Sequence, residues 1–300
     1  MSNISFRPKK PFYKTWKFLI LVVLVILLIY PVVSIVGSFR QTLVYNRSIG
    51  FSTPADEGLS FENISFQSPA SDHATMRGWW IPNNKSGRAL ILLHGQNNNR
   101  DEYLPFAKTM WNNGYSILMY DMRGHGQSDG FTHSYGEYEQ VDVLGAVDFL
   151  KQRGIKPASI GIFGRSMGGA VAIMAMSQTS EIAAGISDSG FANWAERERK
   201  RLFLFYPGVE LACKVLQNFD IQSVQPVKSI QSVNRPILLI QGEDDTVVPV
   251  QDAYDLKQAG GSNVELWLVP GAGHVQAELK QPEEYWRRVQ SFFNTNLARY

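Results

Sequence analysis

Short apolar runs alternate along this chain with stretches of helical spacing. Residues 61–66 and 75–81 read as two strands around the turn Ser68-Pro69-Ala70-Ser71-Asp72. Ala89 to Leu93, Ser116 to Tyr120, Ile160 to Phe163, Ala184 to Ile186, Ile237 to Ile240 and Glu265 to Val269 are further strands, short enough and apolar enough to be buried on both faces. Helical spacing falls near 101–112, at 136–152, where Val141, Leu144, Val147 and Leu150 share a face, at 167–178, and after each of the last two strands. Buried strands alternating with amphipathic helices predict a mostly parallel sheet covered on both sides. From Phe191 to Asn234 the alternation stops. That interval, 191–234, predicts a cap inserted over the ligand end of the sheet, not a second domain.

One apolar run is of a different kind. Phe18 to Val36 contains no charge, and its length at ~1.5 Å per residue comes close to the ~30 Å of a bilayer core. It predicts a basic tail at 1–17, a transmembrane helix at 18–36, a linker at 37–59 and an α/β domain at 60–300. The run has no polar face, which argues against a helix buried in a soluble core. A cleaved signal peptide is the competing reading, but its apolar core is normally ~7–15 residues. Gly37 and Ser38 offer only weak cleavage sites. Pro31 is expected to kink the helix, and Tyr13, Trp16 and Tyr30 to sit near the interfaces.

Charge sharpens this division. Residues 1–40 carry Arg7, Lys9, Lys10, Lys14, Lys17 and Arg40 with no acidic residue, so against a net charge of +2 the remainder sums to −4. A slightly acidic body has no broad electrostatic claim on nucleic acid. The cations before the apolar run predict an N-terminus in the cytoplasm and residues 41–300 on the far side of the membrane. Asn46-Arg47-Ser48 and Asn63-Ile64-Ser65 match the glycosylation sequon. A single cysteine, Cys213, leaves no intrachain disulfide and no thiolate metal cluster.

The chemistry gathers at strand ends. Gly164-Arg165-Ser166-Met167-Gly168 stands between the strand ending at Phe163 and the helix starting at 167. In that context a sharp strand-to-helix turn exposes a nucleophilic serine oxygen. A serine needs a base, and the base needs an orienting carboxylate. His274, in Pro270-Gly271-Ala272-Gly273-His274 after the last strand, is the base candidate among five histidines. Asp245 in Gln241-Gly242-Glu243-Asp244-Asp245 is the carboxylate, with Asp244 and then Asp188 as alternatives. The backbone N–H of Met167, at a helix start, and that of Gln96, after Leu93, are the expected oxyanion donors. His94 is expected to shape its loop, and the turn Asp121 to Ser128 to lie beside the site without a direct role.

Together, His94 to Asn99, Tyr120 to Gly130, Gly164 to Gly169, Gly242 to Pro249 and Gly271 to His274 occur in the order of the α/β-hydrolase fold family. The chain resembles its serine-hydrolase branch, which includes monoacylglycerol lipases, serine aminopeptidase-like hydrolases and membrane-anchored depalmitoylase-like enzymes. The resemblance covers about 60–300. It implies an α/β fold with a mostly parallel sheet of about eight strands, a Ser166–His274–Asp245 triad, and an oxyanion hole from Gln96 and Met167. Serine at 166 argues against the family's aspartate-nucleophile branches. No metal or organic cofactor is expected, and the substrate is expected to be a small-molecule or lipid-like ester. A peptidase or amidase with the same triad is the alternative. An idle binding module of the same fold would lack a triad member, and all three are present. The Gly-rich segment 161–169 lacks the Gly-Lys-Ser/Thr ending of a nucleotide-binding loop.

Overall fold

The computed structural model describes residues 12–44, 47 and 49–299. Its strands are β1 (Glu62–Gln67), β2 (Thr75–Ile81), β3 (Arg88–Leu93), β4 (Tyr115–Asp121), β5 (Ile160–Arg165), β6 (Ala184–Asp188), β7 (Ile237–Gly242) and β8 (Val264–Val269). They form one sheet in the order β1-β2-β4-β3-β5-β6-β7-β8. β1 and β2 pair antiparallel, as do β2 and β4, and the remaining pairs are parallel.

The helices are α1 (Phe12–Thr42), α2 (Leu104–Asn112), α3 (Glu139–Gln152), α4 (Met167–Gln178), α5 (Trp194–Leu202), α6 (Tyr206–Gln217), α7 (Pro226–Ser229), α8 (Val250–Gly260), α9 (Ala277–Lys280) and α10 (Pro282–Asn296). Every residue of β3, β4 and β7 is buried. Side chains alternate across a strand, so β3 sends Ala89, Ile91 and Leu93 into one core and Leu90 and Leu92 into the other. The first core holds the apolar faces of α3, α4 and α8, including Val147, Val171 and Leu256. The second holds those of α2 and α10, including Phe106, Tyr285 and Phe293. The strands therefore read as unbroken apolar runs because both of their faces are covered.

Several boundaries differ from the sequence reading, among them the start of α3 at Glu139. The apolar helix begins at Phe12, inside the expected basic tail, and does not end at Val36 but continues to Thr42, taking in the first residues of the expected linker. Ser34, Ser38, Gln41 and Thr42 are buried there, against α6. Small residues allow this approach: a Cβ on Gly208 would lie 2.1 Å from Ser34 Oγ, and one on Gly37 would lie 3.0 Å from Val209. Gln217 bonds both Thr42 Oγ1 (2.6 Å) and Ser38 Oγ (3.2 Å). The chain leaving α1 is then pinned to the body, with His133 N–H donating to Thr42 O (2.9 Å) and Val44 N–H to Phe131 O (3.1 Å). Tertiary contacts with α6 thus prolong the helix past the point where its hydrophobicity ends. Another difference is smaller: the helical stretch near 101 begins with a 3-10 turn, Arg100–Tyr103, before α2. Arg7, Lys9, Lys10 and the sequon positions Asn46 and Ser48 lie outside the described residues.

Candidate active site

The parallel strands all point their carboxyl ends the same way, and in such sheets ligands bind beyond those ends. β5 delivers Ser166, β7 delivers Asp245 three residues after Gly242, and β8 delivers His274 five residues after Val269. The structure brings these three side chains together. His274 Nε2 lies 2.8 Å from Ser166 Oγ, and His274 Nδ1 lies 2.8 Å from Asp245 Oδ2.

The turn that carries Ser166 is strained in a specific way. Its φ of 52° and ψ of −119° are left-handed values that favour glycine, and such strain persists only when the surroundings hold it. The Ser166 N–H is held by Asp188 O at 2.8 Å. The flanking glycines are required by contact: a Cβ on Gly164 would lie 2.1 Å from Gly168 O, and a Cβ on Gly168 would lie 2.1 Å from Leu93 O.

Asp245 is a fixed carboxylate. Its Oδ1 accepts from the N–H groups of Val247 and Val248, each at 2.8 Å, and its Oδ2 accepts from Gln241 Nε2 at 3.0 Å. Burial alone would raise its pKa. The His274 hydrogen bond and the Val248 and Val247 amides outweigh that and hold it below the ordinary value. The two alternative carboxylates are placed elsewhere. Asp244 is exposed. Asp188 is buried and bonded by Tyr285 Oη and Ser189 Oγ, both at 3.1 Å.

The loop after β3 is organised by its neighbours. Gly95 N–H donates to Glu102 Oε2 (3.2 Å) and Asn97 N–H to His125 Nε2 (3.1 Å). Between them, the Gln96 N–H has no protein acceptor among the described residues, and neither has the Met167 N–H at the start of α4. His94 spends both ring nitrogens on backbone, Nδ1–H to Gly95 O (2.7 Å) and Nε2 from Met122 N–H (2.9 Å). Burial, with His125 alongside, pushes its pKa down to about 3, so it stays neutral. The Asp121 to Ser128 turn is a scaffold: Asp121 accepts from Arg100 N–H and Gln127 N–H, and Arg123 grips Asp142 through two bonds of 2.7 and 2.6 Å.

Residues 103–299 match the prolyl oligopeptidase family. The chain belongs to that family. Its fold is the α/β-hydrolase fold, and the same fold appears in the solved Pyrococcus furiosus esterase Pf2001, 29% identical, with 84% of this chain and 97% of that chain covered at a TM-score of 0.68. It is also similar to the alpha/beta hydrolase domain-containing protein WAV2 of Arabidopsis thaliana, 28% identical over 87% of this chain and 89% of that protein. The uncharacterized protein YqkD of Bacillus subtilis is 27% identical over 78% of this chain and 80% of its own length.

The sequence did not point to the polar chain beneath this site. Gln96 Nε2 donates to Tyr135 Oη at 2.8 Å, and Tyr135 Oη donates to Gln41 O at 2.8 Å. Gln41 Nε2 in turn donates to Glu198 Oε2 at 2.6 Å. Tyr135 also stacks on Trp194 of α5 at 3.7 Å. Gln96 lies in the His94–Asn99 motif, but Gln41, Tyr135 and Glu198 belong to none and come from three other parts of the chain.

Proposed function

We propose that this member of the prolyl oligopeptidase family is a membrane-anchored serine hydrolase that cleaves carboxylic esters. The Ser166–His274–Asp245 relay, with both links at 2.8 Å, carries the reading. Ser166 Oγ attacks the acyl carbon while His274 Nε2 takes its proton. The tetrahedral oxyanion forms against the Gln96 and Met167 amides, which are oriented in advance, the Met167 amide gaining from the α4 dipole. His274 then returns the proton to the departing alcohol, leaving an acyl group on Ser166. Water, deprotonated by His274, releases the acid and restores the serine. Asp245 holds the imidazole with Nδ1–H facing it and stabilises the imidazolium.

The ester preference is supported by the likeness to the Pyrococcus furiosus esterase, which extends over nearly all of that chain. The family name supports the second reading, amide or peptide cleavage by the same relay. α1 is the anchor: it is long and apolar enough to span, and the cations before it favour a cytoplasmic N-terminus with the body on the other side.

The test is hydrolysis of a chain-length series of p-nitrophenyl esters, and of matching p-nitroanilides, by the full chain in detergent. Ester turnover that vanishes in Ser166→Ala is the expected result. Turnover of the anilides at comparable kcat/KM would favour the peptidase reading. Ester turnover surviving in Ser166→Ala would remove Ser166 as nucleophile.

A further inference from the structure

The cap exposes an apolar tip. Phe203 and Leu204, between α5 and α6, are 75% and 70% exposed, and Phe205 beside them is also exposed. Along α6 the same face continues through Leu211 and Val215, the latter 70% exposed. Positions 204, 208, 211 and 215 follow the spacing of one helical face, and at 208 there is a glycine, where the helix meets α1. The tip lies directly against α1. Tyr30 stacks on Phe205 with ring centroids 5.5 Å apart.

The place of that contact along α1 fixes the depth of the tip. α1 and α6 run side by side in the same direction, with Tyr30 at Phe205, Ser34 at Gly208, Gly37 at Val209 and Thr42 at Gln217. Tyr30 is only thirteen residues past Lys17, the last charge before the apolar run, or ~20 Å along the helix. A hydrocarbon core of ~30 Å that begins at Lys17 extends ~10 Å beyond Tyr30.

We propose that the cap tip, Phe203–Phe205, is immersed in the bilayer leaflet at the C-terminal end of α1. The proposal rests on α1 spanning the membrane, and its occupant is lipid. Two further observations fit that occupant. In hydrocarbon, polar groups must be satisfied within the protein. The Tyr30 hydroxyl does this at the tip, donating to Leu204 O (3.0 Å) and accepting from Gly208 N–H (3.2 Å). The last turn of α5, immediately before the tip, is Arg199-Lys200-Arg201. Lys200 and Arg201 are well exposed, each paired with a glutamate of the same helix (Glu196 at 2.9 Å and Glu198 at 2.6 Å), and long cationic side chains of this kind reach back to anionic headgroups while their stems lie along apolar surface. An apolar tip sunk ~5–10 Å beneath a basic collar is the geometry of an interfacial membrane element. The body is thereby held at two points, which sets its orientation on the membrane.

The experiment uses the full chain with a single environment-sensitive NBD label. Leu24→Cys reports on α1, Leu204→Cys on the tip, and Leu279→Cys on an exposed apolar residue of α9. Native Cys213 is buried, and the unsubstituted chain treated in parallel measures any label it takes. Each variant retaining ester hydrolysis is placed, one chain per particle, in nanodiscs of phosphatidylcholine and phosphatidylglycerol with or without brominated acyl chains. The expected result is bromine quenching at 24 and 204 and none at 279. Quenching at 24 without quenching at 204 overturns the proposal while leaving the anchor in place. No quenching at 24 overturns the anchor and the proposal with it. Blue-shifted emission at 204 without bromine quenching, seen only when discs hold several chains, would mean that a second copy covers the tip, and overturns it too.

Discussion

The Tyr135 hydroxyl donates to the backbone carbonyl of Gln41, the penultimate residue of α1, across 2.8 Å. Both residues are buried. The same hydroxyl accepts from the Gln96 side chain, so the end of the apolar helix and the loop offering the Gln96 amide share one oxygen. Tyr135→Phe removes both bonds, leaving the buried Gln41 carbonyl without this partner, at about 1–3 kcal/mol for an unsatisfied group, and leaving half-buried Gln96 Nε2 with only His133 Nε2 at 3.2 Å. Acting through Gln96, Tyr135 is a positioning residue. The expected outcome is a fall of roughly tenfold in kcat on a p-nitrophenyl ester with KM little changed, since each ~1.4 kcal/mol of transition-state stabilisation is tenfold in rate. An equal loss of activity and of melting temperature, with kcat per folded molecule intact, would show the residue to be structural only.

Asp245→Asn keeps the shape of the relay but favours the wrong imidazole tautomer, and a loss of roughly 10⁴-fold in kcat is expected from that cause. The same carboxylate makes a pH prediction. Its pKa is depressed in the folded chain, so its contribution to stability is complete above the unfolded value of about 3.9 and is lost as pH falls through the lower folded value. Melting temperature measured downward from neutral pH should fall more steeply below about pH 4 in the wild type than in Asp245→Asn. Parallel curves would remove Asp245 from the acid transition.

Gly208 is where α1 and α6 come closest. A Cβ there would also lie 2.8 Å from the Tyr30 ring, and both neighbours sit on a helix that cannot retreat without losing the bonds at Ser38 and Thr42. Gly208→Leu is expected to cost about 1–3 kcal/mol by overpacking. Denaturant unfolding in detergent measures it. Removing residues 1–43 should act in the same direction by uncovering α6, so a domain cut in the expected linker will be less stable than the full chain.

Cys213 lies on the inner face of α6, and burial, with Glu198 and Glu210 nearby, pushes its thiol up to about 12. Since the thiolate is the reactive form, the native protein should resist iodoacetamide at pH 8 and be labelled once unfolded. Stoichiometric labelling of the native chain at that pH would mean that the cap opens around α6.

Strand positions were legible in the sequence to within a few residues, because burial on both sheet faces leaves runs such as Ala89–Leu93 without polar interruption. Ser166, Asp245 and His274 were legible for a related reason. Strand ends carry the chemistry in this architecture, and the close backbone contacts at Gly164 and Gly168 impose glycines that mark the turn. Choosing Asp245 over its neighbour Asp244 was harder from sequence. The pair differ by one position, and only the fold turns one inward to His274 and the other to solvent.

Local patterning by itself determined the sheet, the apolar helix and the strand ends from which Ser166, Asp245 and His274 emerge, since each depends on a few adjacent residues. The tertiary structure alone decided that the apolar helix runs on to Thr42, that α6 lies along it, and that Gln41, Tyr135 and Gln96 meet. Those contacts join residues from 39 to 179 positions apart. Their partners are single polar or small side chains with no periodicity of their own, and packing in three dimensions is what selects them.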